Sequence, residues 1–173
     1  MKAQISFVEY IVAFSLFISF SSILFLQVLS FMRTYSNEAR NEIVRSEAYQ
    51  ISEILINDLG EPIDWNALIG TPNENKIKRI GLSDERFNLT NFLSLDKINA
   101  LRTKCNQANG YDDVSRWIGA TSQFSIILVD RSENPIEPVI CKPNIFITRN
   151  VNVSIKRQIA FGSKYGEILI QMW

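Results

Sequence analysis

The chain contains no histidine, and that one absence removes much chemistry. Histidine is the commonest general base and neutral metal ligand, so Ser/His and Cys/His nucleophile pairs go with it. Cysteine is nearly missing too: Cys105 and Cys141 alone fall short of the four soft ligands of a zinc site. Glycine is scarce, 7 in 173 residues with none clustered, so no loop is built to cradle phosphate. Net charge is absent as well, because 18 basic and 18 acidic residues cancel. No overall field draws the chain to nucleic acid or to an anionic surface. The acids Asp84-Glu85, Asp112-Asp113, Glu133 and Glu137 match no calcium-loop spacing and read as solvated surface. The expectation is a protein that is not an enzyme, with no cofactor, no metal and no nucleic-acid partner.

Charge is also missing from one end. Only Lys2 and Glu9 are charged in the first 32 positions, and Tyr10 to Met32 run without a charge, a proline or a glycine. A helix over that run rises about 35 Å, enough for the hydrocarbon core of a bilayer. A conventional secretory signal has a shorter apolar region followed by a small-x-small cleavage site. Here Leu29, Phe31, Met32 and Arg33 close the run, and that reading fits poorly. A single-pass anchor explains the length but leaves Glu9 unexplained, since a carboxylate at depth costs several kcal/mol, in order of magnitude, unless it is near the interface or paired. At the start of the helix it can snorkel and is favoured by the positive end of the helix dipole.

The opening Met1-Lys2-Ala3-Gln4-Ile5-Ser6-Phe7-Val8-Glu9-Tyr10 is a tiny leader with one positive charge, a small residue, then Gln-x-Ser and an acid heading the apolar helix. It resembles the class III signal peptide of archaeal type IV pilin-like proteins, which a prepilin peptidase cuts before the hydrophobic helix. By that resemblance Lys2, Ala3 and Gln4 mark the cleavage region and residues 1–3 are the leader. Cleavage after Ala3 leaves Glu9 one position beyond the family's usual fifth, turned about 100° round the helix. Cleavage after Gln4 restores the spacing, and both bonds stay open. A freed amine can pair with Glu9 inside a bundle of identical helices, so each charge finds its partner on assembly. Ser15, Ser19 and Ser22 recur along one side, where small side chains permit close helix approach.

Beyond Met32 no breaker interrupts the chain before Gly60. Val44, Ala48, Ile51, Leu55 and Leu59 recur at steps of four and three, one apolar stripe of an amphipathic helix. The pattern predicts one helix from Gln4 to Leu59, with residues 4–32 as its hydrophobic part and 33–59 as an amphipathic continuation. The apolar part needs lipid or other helices, and the stripe packs on the chain's own globular domain. A sustained coiled coil would need more heptads. Gly60 and Pro62 stop the helix. The run Gly60-Glu61-Pro62-Ile63-Asp64-Trp65 resembles the Gly-x-Pro-x-x-Trp element found after the long helix in the same family, with Trp65 closing the bottom of the core.

Residues 60–173 read as an α+β head domain. Leu95 to Ala108 and Tyr111 to Ile118 predict helices. Gln123 to Asp130, Val139 to Cys141, the alternating Val151-Val153-Ile155 and Gly166 to Trp173 predict four strands of an antiparallel sheet. In an oxidising exterior Cys105 and Cys141 would form a disulfide worth about 3–4 kcal/mol; two buried thiols are the alternative. Asn88-Leu89-Thr90 and Asn152-Val153-Ser154 fit the N-glycosylation pattern, making Asn88 and Asn152 candidates.

The resemblance implies a structural subunit of an archaeal type IV pilus-like surface filament. It implies as partners a prepilin peptidase, an assembly ATPase with its membrane platform protein, and sister subunits, with the membrane occupied during biogenesis. Localisation would be the cell membrane and then an extracellular filament. The alternative is an anchored outer binding domain that never polymerises, or a minor pilin. Arg33, Arg40 and Arg45 after the apolar run run counter to the pilin orientation by the positive-inside rule.

Overall fold

The computed structural model describes residues 2–85, 90–133, 136, 138–143 and 153–173. Helix α1 is Lys2–Asn57, followed by α2 (Trp65–Leu68), a 3₁₀ turn (Glu74–Lys76), α3 (Leu95–Cys105) and α4 (Gly110–Ile118). Four strands complete the chain: β1 (Phe124–Asp130), β2 (Val139–Cys141), β3 (Val153–Phe161) and β4 (Lys164–Met172). The fold is α+β, a long N-terminal helix with an antiparallel open sheet behind it in the chain. Two compact units divide it, residues 1–42 and 43–173.

The second unit contains the core. Its sheet has the order β2-β1-β4-β3 with every pairing antiparallel. Registers Phe124↔Met172, Ile126↔Ile170 and Leu128↔Ile168, with Cys141 opposite Ile126 and Val139 opposite Leu128, put these side chains on one face. That face shares a single buried cluster with Val44, Ala48, Ile51 and Leu55 of the predicted α1 stripe and with Ile56, whereas Leu59, the stripe's last predicted member, lies past α1 and is half-buried. Helices α3 and α4 add Ile98, Leu101, Val114 and Trp117. The sheet's other face carries Val129, Lys156, Gln158, Tyr165, Glu167 and Gln171, of which Tyr165, Lys156 and Gln158 are exposed.

Helix α1 stops at Asn57, two residues before the predicted end. Asp58 is the cause: its Oδ1 accepts the Gly60 N–H at 2.8 Å, a local turn that competes with another helical turn. Carbonyls at and just past the helix end are taken by the returning chain, with Leu82 N donating to Leu55 O at 2.8 Å and Ser83 N to Asp58 O at 3.1 Å. Helix α3 likewise ends at Cys105 instead of Ala108: Asn106 N makes the last i−4 bond, to Arg102 O, after which Gln107 N tightens onto Lys104 O three residues back. Strand β3 runs to Phe161, past the predicted alternation, and turns into β4 over Gly162-Ser163, where Gly162 has φ 58°. Val151 lies outside the described residues.

The predicted Trp65 element is a packing lock. Trp65 is fully buried and its Nε1 donates to Gly81 O at 2.9 Å. Gly60 holds φ +85°, and a Cβ there would collide with the Trp65 ring and crowd Gly81 N at 3.0 Å. Gly60→Ala should therefore destabilise the head by about 2–4 kcal/mol, from the left-handed backbone and the ring overlap together. Urea unfolding of the detergent-solubilised chain, followed by tryptophan fluorescence, measures it; an unchanged midpoint would refute the lock.

Candidate functional site

The feature that separates this chain from an ordinary globular domain is Phe7–Met32. Its mean hydropathy is 2.2 and none of it is buried, so by length and composition it is able to cross a membrane. Large apolar side chains stand exposed along its whole length, from Ile11 and Leu24 at 46% to Phe31 at 75%. They surround the helix instead of lining one stripe, so a single packing partner on one side would not cover them. Two of the three predicted small-residue positions have their hydroxyls spent inside the helix: Ser19 Oγ donates to Ser15 O and Ser22 Oγ to Ile18 O, each at 2.8 Å. No polar hydrogen from these two is left needing water, and their small volume remains available for close packing. Glu9 is exposed near the start of this surface, one residue before Tyr10, whose ring stacks on Phe14 at 6.3 Å.

In the second unit, polar groups fasten the second half of α1 to the sheet. Glu47 accepts Thr121 N and Oγ1 and Ser122 N and Oγ, the last at 2.6 Å, gathering the α4–β1 loop onto one carboxylate. Burial pushes its pKa up, but the Ser122 and Thr121 hydrogen bonds outweigh that and hold it below the usual value. Arg157 sits at an inward register of β3, opposite Ile168, where it pairs with Glu53 and lies over the Tyr49 ring at 5.1 Å. Lys97 is buried, donating from Nζ to Leu59 O at 2.7 Å and Ser83 O at 3.1 Å, and desolvation lowers its pKa against the pull of Asp84, Glu85 and Asp58. Lys104 is 6% exposed between Asp113 and Glu74, each at 2.6 Å. Burial pulls its pKa down, yet the two carboxylates prevail and raise it.

The structure joins Cys105 and Cys141 in a disulfide, Cα atoms 5.1 Å apart, tying the end of α3 to β2. Lys2, Ala3 and Gln4 fall in the first turns of α1, and their side chains are outside the described set. Asn88, Asn152 and Glu137 also lie outside the described residues. The acids expected to be free surface are partly structural: Asp113 pairs with Lys104 and Arg116, and Asp84 is buried. Among the described residues no group of three His, Cys, Asp or Glu side chains is placed to hold a metal ion. The buried lysines leave one trace in the sequence, since Lys97, Leu101 and Lys104 follow helical spacing on the stripe that buries Leu101. Glu47 leaves none, because its partners are far along the chain.

Compared with protein-family models, with curated proteins and with solved structures, the chain matches none.

Two outcomes follow from this geometry. The folded pKa of Glu47 lies below its unfolded value near 4.5, so its contribution is complete above that pH and is lost as pH falls through the folded value. Glu47→Gln should cost about 1–3 kcal/mol at pH 7 and reduce the fall in urea midpoint between about pH 5 and 3; equal pH slopes in both proteins would refute the clamp. Thiol trapping of unreduced protein should label neither cysteine, and the Cys105→Ser, Cys141→Ser double variant should lose about 3–4 kcal/mol.

Proposed function

We propose that this chain is a structural subunit of a type IV pilus-like surface filament of the archaeal kind. It would be inserted as a precursor, clipped by a prepilin peptidase near Ala3 or Gln4, and assembled through its N-terminal helix by an ATPase and a membrane platform protein. The observation that carries the reading is the unburied apolar run Phe7–Met32 headed by Glu9. A simple anchor needs the apolar length alone and has no use for a carboxylate at its head. A filament subunit uses both: copies replace lipid around the helix, and the amine freed by clipping neutralises Glu9 of a neighbour. The pair then contributes register more than net energy, because an unmatched carboxylate penalises a misplaced subunit.

The stripe of α1 in the second unit supports the same reading. A chain that keeps one helix segment for its own core and leaves another bare presents the bare segment to something else. The β head would be carried outside the membrane, and the disulfide suits an oxidising exterior.

N-terminal sequencing of protein from the native host should show loss of residues 1–3 or 1–4. Glu9→Val should cut filament number at least about tenfold while membrane insertion and the disulfide stay intact. An unclipped chain confined to the membrane fraction, or normal filaments from Glu9→Val, would overturn the proposal; the first result leaves a non-polymerising anchored domain.

A further inference from the structure

A cleft of about 470 Å³ crosses the outer face of the sheet at its hairpin end, within the size range of small-molecule sites. On its floor Ala160 of β3 is a small outward side chain, and Gly166 of β4 contributes backbone alone, since its Cβ position faces the inner side. Tyr165 stands over it, 63% exposed and paired across the strands with Ala160. The exposed amide of Gln158 lies on the same face, and Thr90 and Asn91 form the rim beyond β3. At the opposite rim Arg131 donates to Glu167 Oε2 at 3.1 and 3.3 Å.

These groups select a ligand class by elimination. An anion would need an uncommitted cation, but Arg131 is paired to Glu167, whose other oxygen holds Lys156 at 2.8 Å. An added peptide strand would need an open edge, but at the cleft both outward backbone groups of Ala160 are used, by Asn91 O at 2.9 Å and Leu93 N at 2.7 Å. What remains is an exposed aromatic face beside two amides, a hydroxyl and a neutralised ion pair. That set suits a neutral ring with C–H groups on its faces and hydroxyls on its edge. In the sequence Thr90 is also the third residue of Asn88-Leu89-Thr90, which fits the N-glycosylation pattern.

We infer that the Tyr165 cleft is a saccharide-binding site, taking a pyranose ring on the Tyr165 face with its hydroxyls bonded by Gln158, Asn91 and Thr90. The sugar comes from the chain's own Asn88 or from a separate glycan, and the chemistry of the site is the same for both. The inference does not depend on filament formation.

The test uses the full chain in a sugar-free detergent, titrated with cellohexaose, maltohexaose and chitohexaose under saturation-transfer NMR. At least one should bind with a dissociation constant below about 10 mM. Tyr165→Ala should weaken that binding about tenfold or more, and Tyr165→Phe, which keeps the ring, should stay within about threefold of the parent. Tyr165 is exposed, so both variants should unfold at the parental urea midpoint. Protein from the native host and its Asn88→Gln variant separate the sources. Tighter binding of free hexaose by Asn88→Gln assigns the cleft to the chain's own glycan, and equal binding assigns it to a separate one. No binding of any hexaose by either protein, or binding that Tyr165→Ala leaves unchanged, would overturn the inference.

Discussion

The contact on which the head depends is between one stripe of α1 and the inward face of the sheet. Val44, Ala48, Ile51, Leu55 and Ile56 are buried in the same cluster as Phe124, Ile126, Leu128, Ile168 and Ile170. Fully burying a side chain of Leu or Ile size is worth about 1.5–3 kcal/mol, so a few of these positions match the net stability of a whole domain. Ala48 has no exposed surface at all, which means the residue is small because something else is already close. Around this contact the polar groups are arranged to fix register. Glu47 collects the α4–β1 loop, Arg157 reaches α1 from β3, and Lys97 bridges the Leu59 carbonyl just past the helix to that of Ser83.

The same helix has the opposite status before residue 33. Its side chains are apolar on every side, and they find no cover within the chain. A stripe is satisfied by one sheet, whereas an apolar surface all round is satisfied only by a surrounding medium, either lipid tails or several parallel neighbours. The serine hydroxyls bonded to their own helix are compatible with both media. In the pilus-like proposal, membrane insertion followed by assembly would be one continuous use of a single surface, on which Glu9 is the only formal charge from Phe7 to Met32. That is the physical content of the pilus-like proposal.

Much of the fold was legible because the sequence is periodic where it matters. The stripe at steps of four and three named four of the five α1 core residues, and the antiparallel strands announced themselves through β-branched runs and alternation. The boundaries were less legible. Helix α1 ends early because Asp58 can bond the N–H of Gly60, a competition between two local structures of similar cost. Strand β3 was read short because Arg157 occupies an inward position that the alternation reserves for an apolar residue. The guanidinium is tolerated there because Glu53 and the Tyr49 ring receive it. The candidate surface at the N-terminus was visible from composition alone, while the Tyr165 cleft was not. Its walls come from four separate stretches of chain, and no local pattern joins Thr90 to Arg131, Gln158 and Tyr165.

Hydropathy and its period, read along the chain, were enough to decide which helix segment faces its own sheet and which must look elsewhere, since both follow from the spacing of neighbours a few residues apart. Which partners the inward charged groups find was settled by folding alone. Lys97 meets the Leu59 carbonyl just past α1, Lys104 meets Glu74 and Asp113, and Glu47 meets a loop about 75 residues further on. The burial of the two lysines is tolerable, and the Glu47 clamp forms, only because a partner distant in sequence arrives with the opposite charge or a hydrogen-bonding group, and distance in sequence is the quantity that local spacing does not record.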